Sequence, residues 1–152
     1  MAFLRGFDSV LQKILVLIDG SANGNRALYY AAGLAKMSGG ELIALNIIKG
    51  KERIGSVALE QELINEANSP AFKRGNEILG EAKRELGDYD IKVQYMLQMG
   101  DPGEIGLKVA LKQKADTIVV GSRGFGTIKG ILRDSVSKRL VQESTLPVIV
   151  IK

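Results

Sequence analysis

A chain of 152 residues, 45% hydrophobic and 25% charged, has the size and composition of one globular domain with a sizeable core, and residues 1–152 are read as that domain. It holds neither cysteine nor histidine, so disulfides, thiolate nucleophiles, thiolate zinc sites and any Ser-His-Asp triad are excluded. A net charge of +4, from 21 basic and 17 acidic side chains that interleave along the chain, does not point to nucleic acid, and without Trp there is no evident stacking platform for bases.

Residues 1–12 lack the basic start, long apolar core and small-residue cleavage site of a secretory signal. No apolar run approaches the ~20 residues of a membrane helix. A cytoplasmic protein with no membrane partner is therefore expected. Residues 13–19 (KILVLID) form a short continuous apolar run, the pattern of a parallel strand buried on both faces. A helix is predicted over residues 22–38, with Ala27, Tyr30, Ala31, Leu34 and Ala35 at the spacing of one buried face. Gly39 and Gly40 stop it, and residues 41–48 (ELIALNII) read as a second strand.

After a polar loop over residues 50–55, a long helical region is predicted over residues 57–86, broken or kinked at Pro70 and carrying an apolar stripe of Leu79, Ala82 and Leu86. Residues 89–98 read as a third strand. Pro102 suits the first turn of a helix running to about Lys114. Residues 116–121 (DTIVVG) are a fourth strand, followed by a glycine-rich loop over residues 121–132. A last helix over residues 134–143 presents Val136, Leu140 and Val141 inward, and residues 147–151 (PVIVI) are a fifth strand. Alternating strands and helices imply right-handed crossovers and a parallel sheet covered on both faces. Ligands of such open sheets bind beyond the carboxyl ends of the strands, where the strand order reverses. The loops after Asp19 and Gly121 are the two candidates.

The run Gly121-Ser122-Arg123-Gly124-Phe125-Gly126 lets the backbone approach an anion closely, and Arg123, Lys129 and Arg133 add positive charge. A plain glycine-rich turn under a helix is the alternative. The P-loop pattern fails because Thr127 stands where lysine is required, and the dinucleotide fingerprint fails because Lys129 occupies the third glycine's place. Ser135 and Lys138 have the Ser-x-x-Lys spacing of penicillin-binding enzymes, but the companion Ser-Asp-Asn and Lys-Thr-Gly are absent.

The loop, the helix after it and the terminal strand resemble the universal stress protein family, whose nucleotide-binding members carry Gly, two residues, Gly, nine residues, Gly, then Ser or Thr. Gly121, Gly124 and Ser135 match, and Asp134 replaces the third glycine. ILVLIDGS ending the first strand, GDPGEI at residues 100–105, ADTIVVGSRG at residues 115–124 and the closing LPVIVIK extend the resemblance over nearly the whole chain.

The resemblance implies an α/β fold with a single open five-stranded parallel sheet, order 3-2-1-4-5, helices on both faces, of the adenine nucleotide alpha hydrolase-like type. It implies an adenine nucleotide, ATP or AMP, between the ends of the first and fourth strands. Asp19 would contact the adenosine with Leu17 and Ile18 beside it, and Ile47 would line the base. Gly121, Arg123 and Gly124 would meet ribose and phosphate, and Ser135 and Val136 would form the helix N-terminus that holds phosphate. Asp19 is also open to a reading as a cap of the first helix, and Ser135 to one as a first-turn residue.

Asp134 is the departure from the pattern. Its carboxylate would compete with phosphate for the same N–H donors and repel it, unless a bound Mg²⁺ bridges the two. The resemblance further implies a homodimer pairing through the C-terminal strand, a regulatory or stress-response switch signalling to an unidentified protein partner, and no catalytic residue. A nucleotide-free homodimeric interaction protein and a slow ATP hydrolase are the alternatives.

Overall fold

The computed structural model describes residues 10–50, 68–122 and 136–152. Among these described residues five strands, β1 (Lys13–Leu17), β2 (Glu41–Ile48), β3 (Lys92–Met99), β4 (Thr117–Gly121) and β5 (Val148–Ile151), alternate with four helices, α1 (Ala22–Ser38), α2 (Pro70–Glu85), α3 (Pro102–Lys112) and α4 (Val136–Glu143). The strands make one parallel sheet in the order β3-β2-β1-β4-β5, as the resemblance implies. The chain moves outward from β1 through β2 to β3, then returns past β1 to β4. The reversal therefore lies between β1 and β4.

Each face of the sheet has its own apolar core. Ile14, Val16, Ile18, Leu42, Ala44 and Val119 point toward α1 and α2, while Leu15, Leu17, Ile43, Leu45, Ile118 and Val120 point toward α3 and α4. This is the two-faced burial that continuous apolar strands require. β3 is an edge strand, and its burial is only partial. Among the described residues no helix is long and apolar enough to cross a membrane.

Each of the first three helices starts where the sequence supplies a cap. Ser21 caps α1, its Oγ accepting from the Gly24 N–H at 3.0 Å, and Gly39 ends the helix at φ 71°. Ser69 and Asp101 cap α2 and α3 in the same way, each followed by a proline in the first turn. Pro70 therefore opens α2 instead of kinking a longer helix, since a first-turn residue has no intrahelical N–H bond to lose. Residues 57–67 of that expected helix lie outside the described residues. So do most of the expected glycine loop and the first two residues of the expected last helix.

Two helix faces differ from the expected ones. In α1 the buried face is Ala27, Leu28, Ala31, Ala32 and Ala35, whereas Tyr30 is 52% exposed and Leu34 only half-buried. Alanines let the helix lie close to the sheet, and a tyrosine does not fit beneath it. In α4, Ser137 and Leu140 face inward with Val136 half-buried, and Val141 is 55% exposed. α2 does bury Leu79 and Ala82, joined by Ile78 and by Leu86 just beyond its end.

The amino end of the sheet is fastened by charge. Asp116 Oδ2 accepts from the Gln12 and Lys13 N–H groups at 2.7 and 2.9 Å, and its Oδ1 accepts from the buried Thr117 hydroxyl at 2.9 Å. Lys13, Glu41 and Lys92 are register partners on β1, β2 and β3. The two lysines bind opposite oxygens of Glu41 at 3.0 and 2.9 Å. Hydrogen bonding to Lys92, then to Lys13, holds the Glu41 carboxyl below its ordinary range.

Candidate functional site

At the reversal point β1 and β4 are paired as far as Val16 and Val119, and the first turn of α1 lies against the carboxyl end of β4. β1 hands over to Ile18 and Asp19. The Ile18 N–H donates to Leu45 O at 2.9 Å, and the Ile18 carbonyl accepts from Asn46 Nδ2 at 2.8 Å. Leu17 and Ile18 are enclosed in opposite cores and present no side chain to solvent. Their part in the site is to fix where Asp19 starts. Ile47 is 4% exposed and belongs to the core beneath α3 and α4.

Asp19 braces the helix cap. Its Oδ1 accepts from the Ser21 N–H at 2.9 Å and from the Ser21 hydroxyl at 2.5 Å. Ser21 Oγ in turn accepts from the Gly24 N–H. A Cβ on Gly24 would lie 2.6 Å from Asp19 Oδ1, so the relay needs glycine at that position. Asp19 thus acts at the start of α1, but through Ser21, which is the cap itself. The positive end of α1 faces the same space, and its first turn carries no acidic residue.

The β4 side is set by close approach. A Cβ on Gly121 would lie 2.9 Å from the carbonyl carbon and oxygen of Asn23, so the strand end and the first turn of α1 touch backbone to backbone. Asn23 is buried, and its Nδ2 donates to Ser122 Oγ at 3.3 Å, while its Oδ1 accepts from Arg26. The Ser122 N–H donates to Ile151 O at 2.7 Å, tying the strand end to β5. On the opposite face Val136 lines a cleft of about 360 Å³ with Asp101, Gly103 and Arg139, the last paired with Asp101 and Glu143.

Asp19, Gly121 and the start of α1 are therefore brought together, whereas Val136 flanks the α3 side. Arg123, Gly124, Asp134 and Ser135 lie outside the described residues. Among the described residues no group of three or more acidic side chains converges to hold a metal ion. Sequence reasoning passed over Ser21, Asn23, Asn46 and Ser122. Asn46 carried a readable signal, since a polar amide inside an apolar buried strand must find a partner.

The universal stress protein family model matches residues 11–152. The chain is similar to the universal stress protein YxiE of Bacillus subtilis, 32% identical over 150 residues that cover 94% of this chain and 100% of that protein. The solved structure of the MJ0577 protein, known from Methanocaldococcus jannaschii, superposes with a TM-score of 0.74 at 28% identity, covering 93% of this chain and 96% of the other. A universal stress protein from Archaeoglobus fulgidus in complex with dAMP shares the fold with a TM-score of 0.66 at 23% identity, covering 93% and 98%. With a family match over nearly its full length, this chain belongs to the universal stress protein family.

Proposed function

We propose that the chain binds an adenine mononucleotide, AMP or ATP, at the carboxyl ends of β1 and β4 and serves as a regulatory stress-response module without turnover. The observation that carries this reading is the paired geometry at the reversal point. Asp19 stands on one side and the side-chain-free Gly121 on the other, with the positive end of α1 against both. The family relative in complex with dAMP supports the same ligand class. A bound adenosine would meet Asp19 at one end. Its phosphate would extend along the segment after Gly121 toward Ser135. Mg²⁺ would offset the charge of Asp134.

β5 closes one edge of the sheet with Val148, Ile149 and Ile151 half-buried and Val150 exposed. Pairing with the same strand of a second copy would cover this edge, and the reading includes such a homodimer. A nucleotide-free member of the family is the second reading, and Asp134 in the motif's third glycine position is what favours it.

Calorimetric titration of AMP, and of ATP with Mg²⁺, into nucleotide-stripped protein tests the proposal beside an Asp134→Gly variant. The expected result is saturable micromolar binding to the wild type, with no phosphate released from ATP on the same timescale. Binding only to Asp134→Gly would favour the nucleotide-free reading. Silence from both proteins would end the nucleotide proposal.

A further inference from the structure

We propose that Asn46 is a positioning residue for the ligand-binding turn: its carboxamide fixes the Ile18 carbonyl and thereby the aim of the Asp19 carboxylate. The functional half of this inference rests on the adenine-nucleotide reading. Asn46 is 4% exposed and lies on β2 among apolar neighbours. Its side chain shares the α1/α2 side of the sheet with Leu42 and Ala44, where packing alone would select an apolar side chain. An amide there gains a place only through what it bonds.

That bond is the 2.8 Å contact from Nδ2 to the Ile18 carbonyl. A carbonyl accepts and cannot donate, so the amide nitrogen must face it, and the orientation of the carboxamide is settled. The Ile18 N–H is already spent on Leu45 O at 2.9 Å. The residue just before Asp19 is thus bonded through both of its backbone polar groups. Asn46 is locked from above as well, because α2 passes over it at Gly75. A Cβ on Gly75 would lie 3.0 Å from Asn46 Oδ1 and 2.7 Å from Leu97 Cδ1. One side chain therefore connects β2, the contact with α2 and the first backbone oxygen beyond β1, on the residue next to the Asp19–Ser21 relay.

Two variants test this by amide hydrogen exchange on the ligand-free protein and by AMP calorimetry. Asn46→Leu removes the donor while keeping the branching and the number of side-chain heavy atoms. Asn46→His returns a ring N–H at the same number of bonds from the backbone. In Asn46→Leu, exchange at the Ser21 and Gly24 amides should quicken by about tenfold, while Val16 and Leu45 in the ladder keep their protection. The AMP dissociation constant should rise by roughly tenfold. Asn46→His should recover part of both losses. Unchanged exchange at Ser21 and Gly24, or acceleration spread evenly through β1 and β2, would overturn the assignment, as would an unaltered AMP affinity. A wild-type chain that takes up neither AMP nor ATP would overturn the nucleotide reading and the functional half of this inference. The exchange comparison would still decide whether Asn46 holds the turn.

Discussion

At the amino end of the sheet, β1 to β3 are stitched by the Lys13–Glu41–Lys92 triad, and Asp116 gathers the backbone donors that enter β1. At the carboxyl end, β1, β2 and β4 are held by shorter-range contacts: the Asn46 amide, the Asn23 amide, the Ser122 hydroxyl, the Asp19 carboxylate bonded to Ser21, and the close approach at Gly121. Charge at one end tolerates small displacements, because Coulombic attraction changes slowly with distance. Close packing at the other does not, because repulsion rises steeply over a few tenths of an ångström. A fold built this way keeps the Lys13–Glu41–Lys92 triad and Asp116 at the opposite end of the sheet from the candidate site.

The largest effect that would break this comparison comes from Gly121→Ala. Its methyl meets Asn23 backbone, which cannot swing aside, and a loss of about 3 kcal/mol in unfolding free energy is expected by urea denaturation. A near-neutral outcome would mean that the carboxyl end is as forgiving as the other. Asp116→Ala comes next, at about 2 kcal/mol, because two backbone N–H groups and the buried Thr117 hydroxyl lose their acceptor.

Glu41→Gln should cost less than about 1 kcal/mol, since its ion pairs are partly exposed and screened. It carries a sharper signature in pH. The folded carboxyl titrates below the ordinary glutamate value of 4.5, so its contribution is present above that value and is lost as pH falls through the depressed one. Wild type and Glu41→Gln should converge in stability on acidification and also in high salt. Ser122→Ala, which gives up one contact at 3.3 Å, should change stability by only about 0.5 kcal/mol and show no salt dependence.

The strands were legible because their apolar runs are continuous, and the start of the helix at Pro102 because a first-turn proline is local chemistry, whereas the caps Ser21, Ser69 and Asp101 went unread. The strand order came from resemblance, since no periodicity says which neighbour a strand will choose. The face of α1 was misjudged because alanines carry a weak signal, and a tyrosine at the right spacing outweighs them until the narrow gap above the sheet is seen. That Asp19 and Gly121 close the first and fourth strands at the reversal point was readable from the apolar runs they end. The partners of Asn46 and Asn23 were not readable, because those contacts span 28 and 99 positions of chain.

The hydrogen bond from the Ser122 amide to the Ile151 carbonyl has a practical side. It places a reporter outside the candidate pocket that is bonded directly to its rim. A single carbon-13 label at the Ile151 carbonyl would register any displacement of the Gly121–Ser122 strand end as a change in chemical shift. Displacement of that strand end could then be followed with no probe in the candidate pocket and no residue altered.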